Sequence, residues 1–118
     1  MDKSYSEWDF DVVVIGAGGA GLRAAIEASS SGAKVGMISK SMLGKAHTVM
    51  AEGGAAAALA NKDHRDSWKI HFRDTMKGGK YLSDWRMAKV HAQQAPDRIR
   101  ELEQWGAVFD RTSEGKTS

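Results

Sequence analysis

At 118 residues the chain is long enough for one small domain with a hydrophobic core, and short for a complete enzyme of the doubly wound type. Its formal net charge is +2 and its lysines and arginines are interspersed among acidic residues, so neither a nucleic-acid surface nor a membrane surface is indicated. The absence of cysteine excludes disulfides, thiolate zinc sites and cysteine nucleophiles within this stretch. No apolar run is long enough to cross a bilayer, and residues 1–9 lack a signal or transit pattern, which predicts a cytoplasmic segment.

The first predicted element is a strand over Val12–Ile15, whose apolar and mostly β-branched residues suit a position buried on both faces of a parallel sheet. It runs into the pattern Gly16-x-Gly18-x-x-Gly21, in which each glycine has a separate task. Gly16 allows a tight turn, Gly18 lets the backbone approach a pyrophosphate, and Gly21 lets helix and strand pack closely. Because an alanine-rich helical pattern follows, the sequence favours dinucleotide binding over a merely flexible glycine turn.

The helix is predicted over residues 21–29, with Gly32 in the left-handed conformation just beyond its end. Residues 33–39 predict a second strand, which completes a βαβ unit with the usual right-handed crossover. An NAD-binding unit would have an acidic residue near the end of that strand, whereas this chain has Ser39 and Lys40. Ser39 can still bond a ribose, and Lys40 suits either a nucleotide phosphate or a solvated surface position.

Residues 44–60 are unusually poor in side-chain volume, above all at Gly53–Ala58, which would let a large flat group lie against the backbone. The alternative interpretation is an alanine-rich buried helix, and the two are compatible. His47 lies just ahead of this surface. A single histidine in isolation is more often structural than functional.

A loop is expected over residues 61–66, followed by a helix that Asp66 or Ser67 caps and that reaches Lys77 before Gly78-Gly79 ends it. One face of this helix carries Trp68, Phe72, Thr75 and Met76. His64 and His71 have no cysteine nearby and no acidic partners at the usual spacing, so no metal site is predicted.

Ser83 is predicted to cap a further helix through Gln94, and Pro96 to begin a new helix that stops at Gly106. The new helix would turn Ile99, Leu102 and Trp105 inward, while its interspersed charges form a solvated face. Residues 107–111 read as extended, and residues 112–116 as a turn that opens a hairpin.

Five stretches together resemble the flavoprotein subunit of succinate dehydrogenase and fumarate reductase. They occur in the family's order and cover nearly the whole chain: residues 11–25 (DVVVIGAGGAGLRAA), residues 38–40 (ISK), residues 46–54 (AHTVMAEGG), residues 71–75 (HFRDT) with Gly78-Gly79, and residues 102–106 (LEQWG) with Phe109 and Arg111. Many members of this family have Arg-Ser before the histidine. This chain has Lys45-Ala46, which keeps the positive charge and loses a hydroxyl.

The resemblance implies that the cofactor is FAD, attached covalently through His47 to the 8α-methyl carbon of the flavin. It further implies three groups of FAD-binding residues. The pyrophosphate group is Gly16, Ala17, Gly18, Gly19, Ala20 and Gly21; the nucleotide half contacts Ser39 and Lys40; and the flavin side is lined by Ala46, His47, Thr48, Ala51, Glu52, Gly53 and Gly54.

The expected fold class is α/β, with a Rossmann-like FAD-binding βαβ unit followed by helices in an incomplete doubly wound domain. Residues 1–118 are interpreted as the N-terminal part of an FAD-binding domain within a longer protein. Its parts would be the βαβ unit and flavin-attachment segment (1–60), a helical segment (61–106) and the start of a truncated hairpin (107–118). A strand ending without its pairing partner is the physical reason for that interpretation.

The resemblance also implies the chemistry of the complete enzyme, which interconverts succinate and fumarate by hydride transfer between substrate carbon and flavin N5. Electrons would pass to an iron–sulfur subunit, then to a quinone at a membrane anchor subunit, on the cytoplasmic face of the inner membrane. The family's catalytic residues have no counterpart here, so no catalytic acid or base is assigned and the direction stays open. Two alternatives remain: a flavoprotein like L-aspartate oxidase, which lacks the attaching histidine, and an inactive fragment that binds no cofactor.

Overall fold

The computed structural model describes residues 5–117, which form two compact units. The first unit ends at Gly53 and the second begins at Gly54. Residues 1–4 and 118, the two ends of the predicted domain, lie outside the described part of the chain. Both helices and strands are present, so the α/β character expected from the sequence is confirmed. Within residues 5–117, no helix has the length and apolar character required to span a membrane.

The first unit contains a parallel strand pair and the helix that joins its two strands. Strand β1 (Val12–Ile15) pairs with β2 (Val35–Ile38) in the register Val12 to Val35 through Ile15 to Ile38. Helix α1 (Gly19–Ser30) lies between them in the chain and contacts both. The predicted pair of adjacent parallel strands is therefore confirmed, and α1 starts two residues earlier than predicted.

The end of α1 shows why the chain turns back toward the sheet at this point. Gly32 has a φ of +90°, the left-handed conformation that was predicted for it. The Gly32 N–H donates to the Ser29 carbonyl, and the Ala33 N–H donates to the Ala28 carbonyl. This crossed pair of bonds satisfies carbonyls that would otherwise be unpaired at the helix end, so β2 follows directly.

The prediction that β1 is buried on both faces is wrong for the described residues. Val13 is 51% exposed and Ile15 84% exposed. The sheet has two strands and α1 packs against them, so much of the sheet surface remains open. An apolar strand of this kind suits a position that is covered on both faces. The elements within residues 5–117 do not cover both faces of β1.

The alanine-rich helix expected within residues 44–60 is also absent. A single 3₁₀ turn occupies His47–Met50, and residues 51–60 contain no helix. Ala60 adopts a positive φ of 53°, which an α-helix cannot contain. Gly53 and Gly54 disfavour helix initiation, and the few alanines after them are too short a run to offset the cost of nucleation.

The second unit is built on two helices. Helix α2 (Trp68–Gly78) is capped by Ser67, whose hydroxyl accepts from the Ile70 N–H, and Gly79 caps its end, as the sequence predicted. Helix α3 runs without interruption over Trp85–Gln104. It is capped by Asp84, whose carboxylate accepts from two backbone amides, in place of the predicted Ser83.

The prediction of two helices separated at Pro96 is wrong because α3 continues through the proline. The buried residues of α3 lie on one stripe that passes either side of it: Ala88, Ala92, Ala95 and Ile99. Packing of this continuous stripe against α2 outweighs the hydrogen bond that Pro96 cannot donate. Ile99 faces inward as predicted, whereas Leu102 is 40% and Trp105 is 50% exposed, so the inward placement of those two residues is corrected.

The last described residues form the predicted turn. Arg111 and Thr117 make an isolated antiparallel bridge, and the Thr112 N–H donates to the Lys116 carbonyl at 2.8 Å. Gly115 supplies a positive φ of 78° within the turn. The hairpin is thus present as a single bridge around a tight turn.

Candidate functional site

The glycine turn after β1 is shaped by two close backbone approaches. Gly16 has a φ of +107°, and its N–H donates to the Ile38 carbonyl at 2.8 Å, which ties the ends of β1 and β2 together. A Cβ placed on Gly21 would lie 1.9 Å from the Gly16 carbonyl oxygen and 3.4 Å from a Val14 methyl. The close approach of helix and strand predicted for Gly21 is therefore present, and a side chain at this position cannot be accommodated without backbone movement.

The N-terminus of α1 is open to an anion. Its N-cap is Gly18, which is extended (φ −78°, ψ 179°) and offers no side chain to cap the helix, and the first turn carries no acidic residue. The first amides of a helix have no partner within the helix, and the helix dipole adds partial positive charge. This end of α1 therefore has the backbone donors and the sign of charge that a phosphate group requires.

One of those amides is engaged by a residue from a distant part of the chain. The Gly19 N–H donates to Thr48 Oγ1 at 2.9 Å, across 29 residues of sequence. The Cβ position of Gly19 lies 3.1 Å from Thr48 Cγ2, and that of Gly18 lies 3.4 Å from Thr48 Oγ1 and 3.9 Å from the Ala46 Cβ. The 3₁₀ turn thus packs directly on the first turn of α1, and the absence of a side chain at Gly19 permits the closest of these contacts.

His47 is the first residue of that turn, and its side chain is exposed. Its neighbours in sequence, Ala46 and Thr48, are the two residues that approach α1. The structure therefore brings together the glycine turn and the histidine segment, which the sequence separates by about thirty residues. This juxtaposition is the central feature of the candidate site.

The remaining site residues predicted from the sequence lie nearby in the chain. Ser39 and Lys40 follow β2 and are exposed, at the same edge of the sheet as the glycine turn that follows β1, because the two strands are parallel. Ala51, Glu52 and Gly53 are exposed after the 3₁₀ turn, and a Cβ on Gly53 would meet no other atom within 4 Å. Gly54 begins the second unit and has equally open space around it.

Residues just before β1 make contacts with β2 and its preceding residue that were not predicted from the sequence. The ring of Phe10 lies over Gly36, where an added Cβ would be 2.6 Å from the ring. The Asp11 carboxylate accepts from the Lys34 N–H at 2.7 Å, and the Lys34 ammonium lies 5.5 Å from the Phe10 ring centroid. The glycine inside a predicted strand was the available signal, since such a glycine often marks close approach of another group.

Sequence reasoning also missed a cleft of about 820 Å³ within the second unit, beside the loop after the alanine run. Its lining includes the ion pair of Asp63 and Arg65, in which Arg65 Nη2 lies 2.8 Å from Asp63 Oδ2. Hydrogen bonds from the Arg65 side chain and backbone lower the pKa of Asp63, and the same side-chain bond raises the pKa of Arg65. Both groups are solvent-exposed, so the pair orders the loop and contributes little to stability. No cluster of three or more potential metal ligands occurs among residues 5–117.

The geometry of the first unit fits a dinucleotide whose phosphates approach α1, and the chemistry of its donors suits that group. Glycines at positions 16, 18 and 19 keep side chains away from the turn, and the first helical turn offers amide donors without competing carboxylates. An exposed imidazole is anchored beside them through its neighbour Thr48.

Comparison with known proteins agrees with this geometry. The sequence profile of the FAD binding domain family matches residues 11–118. The succinate dehydrogenase flavoprotein subunit of Rickettsia bellii (strain RML369-C) is 47% identical over 118 residues, covering 98% of this chain and 20% of that protein. One polypeptide of the fumarate reductase (CoM/CoB) of Methanothermobacter marburgensis is 47% identical over 109 residues, covering 92% of this chain and 20% of that polypeptide.

Similarity extends to solved structures. The structure of Mycobacterium smegmatis Sdh1 in complex with UQ1 is 65% identical, with a TM-score of 0.88, and the match covers 92% of this chain and 18% of that one. The chain thus spans about a fifth of the length of the relatives it matches.

Proposed function

The chain belongs to the FAD binding domain family, and from that premise we propose that its complete gene product is the flavoprotein subunit of a succinate dehydrogenase or fumarate reductase. The observation that carries the proposal is the contact between the His47 turn and the first turn of α1. It joins two of the five stretches that resemble this family, residues 11–25 and residues 46–54. The similarity to proteins bearing both of these names supports the same assignment.

In this proposal the fold is completed as a Rossmann-like, doubly wound sheet, and the predicted residues hold FAD. The backbone of Gly16–Gly21 surrounds the pyrophosphate, using the amides at the start of α1. Ser39 and Lys40 contact the nucleotide half from the edge of β2, with the Lys40 ammonium available to a phosphate. Residues 46–54, which include Ala51, Glu52 and the two glycines after them, line the flavin.

We further propose that His47 carries the flavin covalently. A nitrogen of its imidazole would bond to the 8α-methyl carbon, with one C–H bond and one N–H bond broken and one C–N bond formed. Dioxygen would accept the two electrons and two protons that are released and would leave as hydrogen peroxide. The exposure of the His47 side chain at the start of an anchored turn supports this assignment.

The bound FAD supplies two-electron chemistry between succinate and fumarate, and the residues of this chain bind and orient it. No catalytic acid or base is assigned within these residues. The proposed partners are an iron–sulfur subunit together with a membrane anchor subunit that passes electrons to a quinone. The complex would lie on the cytoplasmic face of the inner membrane, where its partners hold the flavoprotein in place.

The experiment replaces His47 in the complete gene product, produced together with its partner subunits. We expect His47→Ala to retain FAD without a covalent bond, because the glycine turn and α1 are unchanged. An N-linked 8α carbon withdraws electron density from the flavin and raises its potential. Succinate oxidation should therefore fall at least about tenfold more than fumarate reduction, a difference of about 1.4 kcal/mol in barrier.

Acid precipitation measures the bond itself. Flavin should stay with the precipitated wild type and pass into the supernatant of His47→Ala. His64→Ala is the matched control, since His64 is exposed in a loop of the second unit and should leave the covalent flavin unchanged. Complete release of flavin from the wild type would refute the covalent assignment and favour a flavoprotein like L-aspartate oxidase.

A further inference from the structure

The side chain that caps the N-terminus of α1 comes from a residue 29 positions away in the sequence. Gly18 occupies the N-cap position, where serine, threonine or aspartate would ordinarily accept from a first-turn amide. Thr48 Oγ1 accepts from the Gly19 N–H instead, at 2.9 Å. The bond therefore ties two segments that are joined by α1, β2 and the loop after it.

Steric contacts reinforce that bond. The Thr48 methyl lies 3.1 Å from the Cβ position of Gly19, and its hydroxyl lies 3.4 Å from that of Gly18. Thr48 thus approaches α1 so closely that a side chain at Gly19 would require a small shift, whereas one at Gly18 would make an ordinary van der Waals contact. A threonine with a hydrogen bond and a methyl contact has its χ1 angle fixed more firmly than the bond alone would achieve.

The turn that carries Thr48 also carries His47. A 3₁₀ turn has about three residues per turn, so successive side chains point about 120° apart. One residue can consequently contact α1 while the preceding one remains exposed, as observed. Two further backbone bonds, from the Val49 N–H to the Ala46 carbonyl and from the Ala51 N–H to the Thr48 carbonyl, keep the turn closed around this arrangement.

We propose that Thr48 is a positioning residue for the bond between His47 and the flavin, an inference that rests on the proposed function. Thr48 fixes the distance between the imidazole and the amides that hold the cofactor's phosphates. A cofactor held at its phosphates then presents its far end to His47 in one place. Without this bond the 3₁₀ turn keeps its backbone conformation but is no longer fixed in position against α1. Covalent attachment of the flavin to His47 then slows, while the contacts with the phosphates persist.

The test compares Thr48→Val, Thr48→Ala and Thr48→Ser in the complete gene product. Thr48→Val keeps the shape and removes the hydroxyl, Thr48→Ala removes both the hydroxyl and the methyl group, and Thr48→Ser keeps the hydroxyl and removes the methyl group. Thr75→Val is the matched control, because the Thr75 hydroxyl donates to the His71 carbonyl within α2 of the second unit. Apoprotein is mixed with FAD, and acid-precipitable flavin is measured against time together with total bound flavin and melting temperature.

We expect Thr48→Val and Thr48→Ala to attach the flavin that they bind at least about tenfold more slowly than the wild type, with the rate expressed per molecule of bound flavin. Thr48→Ser should attach it within about threefold of the wild-type rate, since serine accepts the same bond. Thr75→Val should attach it at the wild-type rate. If the melting temperature shows that Thr48→Val does not fold, Thr48→Ala decides whether the hydroxyl is needed for attachment.

Three results would overturn the proposal, and they are distinguishable. If the wild type attaches flavin and the folded valine or alanine variants do so at the same rate, Thr48 has no positioning role although the proposed function stands. If the wild type itself attaches none, the covalent assignment to His47 fails and the inference fails with it. Equal slowing of all variants, serine included, would also contradict it, because the hydroxyl would then not matter.

Discussion

Gly21 is the residue at which the local backbone leaves least room. An added methyl group would lie 1.9 Å from the Gly16 carbonyl oxygen, which is backbone and cannot rotate away as a side chain would. We expect Gly21→Ala to lower the free energy of unfolding by at least about 2 kcal/mol, since helix and strand must separate to admit the methyl group.

The matched control is Gly78→Ala, at the last position of α2, where an added Cβ meets no atom within 4 Å. Alanine there should raise the free energy of unfolding by up to about 1 kcal/mol, through better helix propensity. Urea unfolding of both variants measures the difference. Equal effects of the two substitutions would show that glycine at position 21 is not required for packing.

Residue types and spacing in the sequence were enough to predict the backbone roles of Gly16, Gly21 and Gly32. Gly16 and Gly32 have the positive φ values, and Gly21 the close approach, that the pattern indicated. The bond between Thr48 and Gly19 was not predictable in the same way. It joins positions 29 residues apart, and no local rule of capping or periodicity relates them.

Among the elements, local signals identified the caps of α1 and α2 but placed the cap of α3 one residue early, at Ser83 where the structure has Asp84. Tertiary packing explains the larger errors. Ser67 caps α2 and the glycine after α1 ends that helix, because such signals act within a few residues. The continuity of α3 depends instead on its packing stripe against α2, which the proline rule does not consider. The exposure of β1 likewise depends on which elements cover it.

The continuity of α3 leads to a prediction about Pro96. This residue has no N–H to donate to the Ala92 carbonyl four residues earlier, and a proline costs about 3 kcal/mol in a helix interior. Alanine restores the donor but loses the restriction that proline places on the unfolded chain, worth up to about 1 kcal/mol. We therefore expect Pro96→Ala to raise the free energy of unfolding by about 1 to 2 kcal/mol.

Chemical denaturation checks this, with Gln93→Ala as the control at an exposed position of the same helix. The control should change stability by only a few tenths of a kcal/mol, through propensity alone, roughly as peptide scales indicate. An unchanged or lowered stability of Pro96→Ala would mean that the helix has already adapted to the proline, for example through a local kink.

At the scale of the whole molecule, the first unit combines three features: a parallel strand pair, a helix N-terminus free of acidic residues, and a histidine turn anchored to that helix. The strand pair and the helix N-terminus were predicted from the sequence, and the resemblance to a flavoprotein family linked the glycine turn with the histidine segment. The contact that anchors the histidine turn to the helix emerged only from the structure. The chain spans about a fifth of the length of its relatives, so substrate chemistry belongs to the proposed complete protein. What these residues themselves can hold is the cofactor.

Peptide mapping of the complete gene product is the sharpest test of the covalent bond between His47 and the flavin, because it locates the cofactor on a single residue. The protein is digested, and each flavin-containing peptide is identified by mass spectrometry and fragmentation. We expect the peptide containing His47 to gain the mass of FAD less two hydrogen atoms, with the added mass on the histidine side chain. An unmodified His47 peptide, together with all flavin recovered free in the digest, would contradict it.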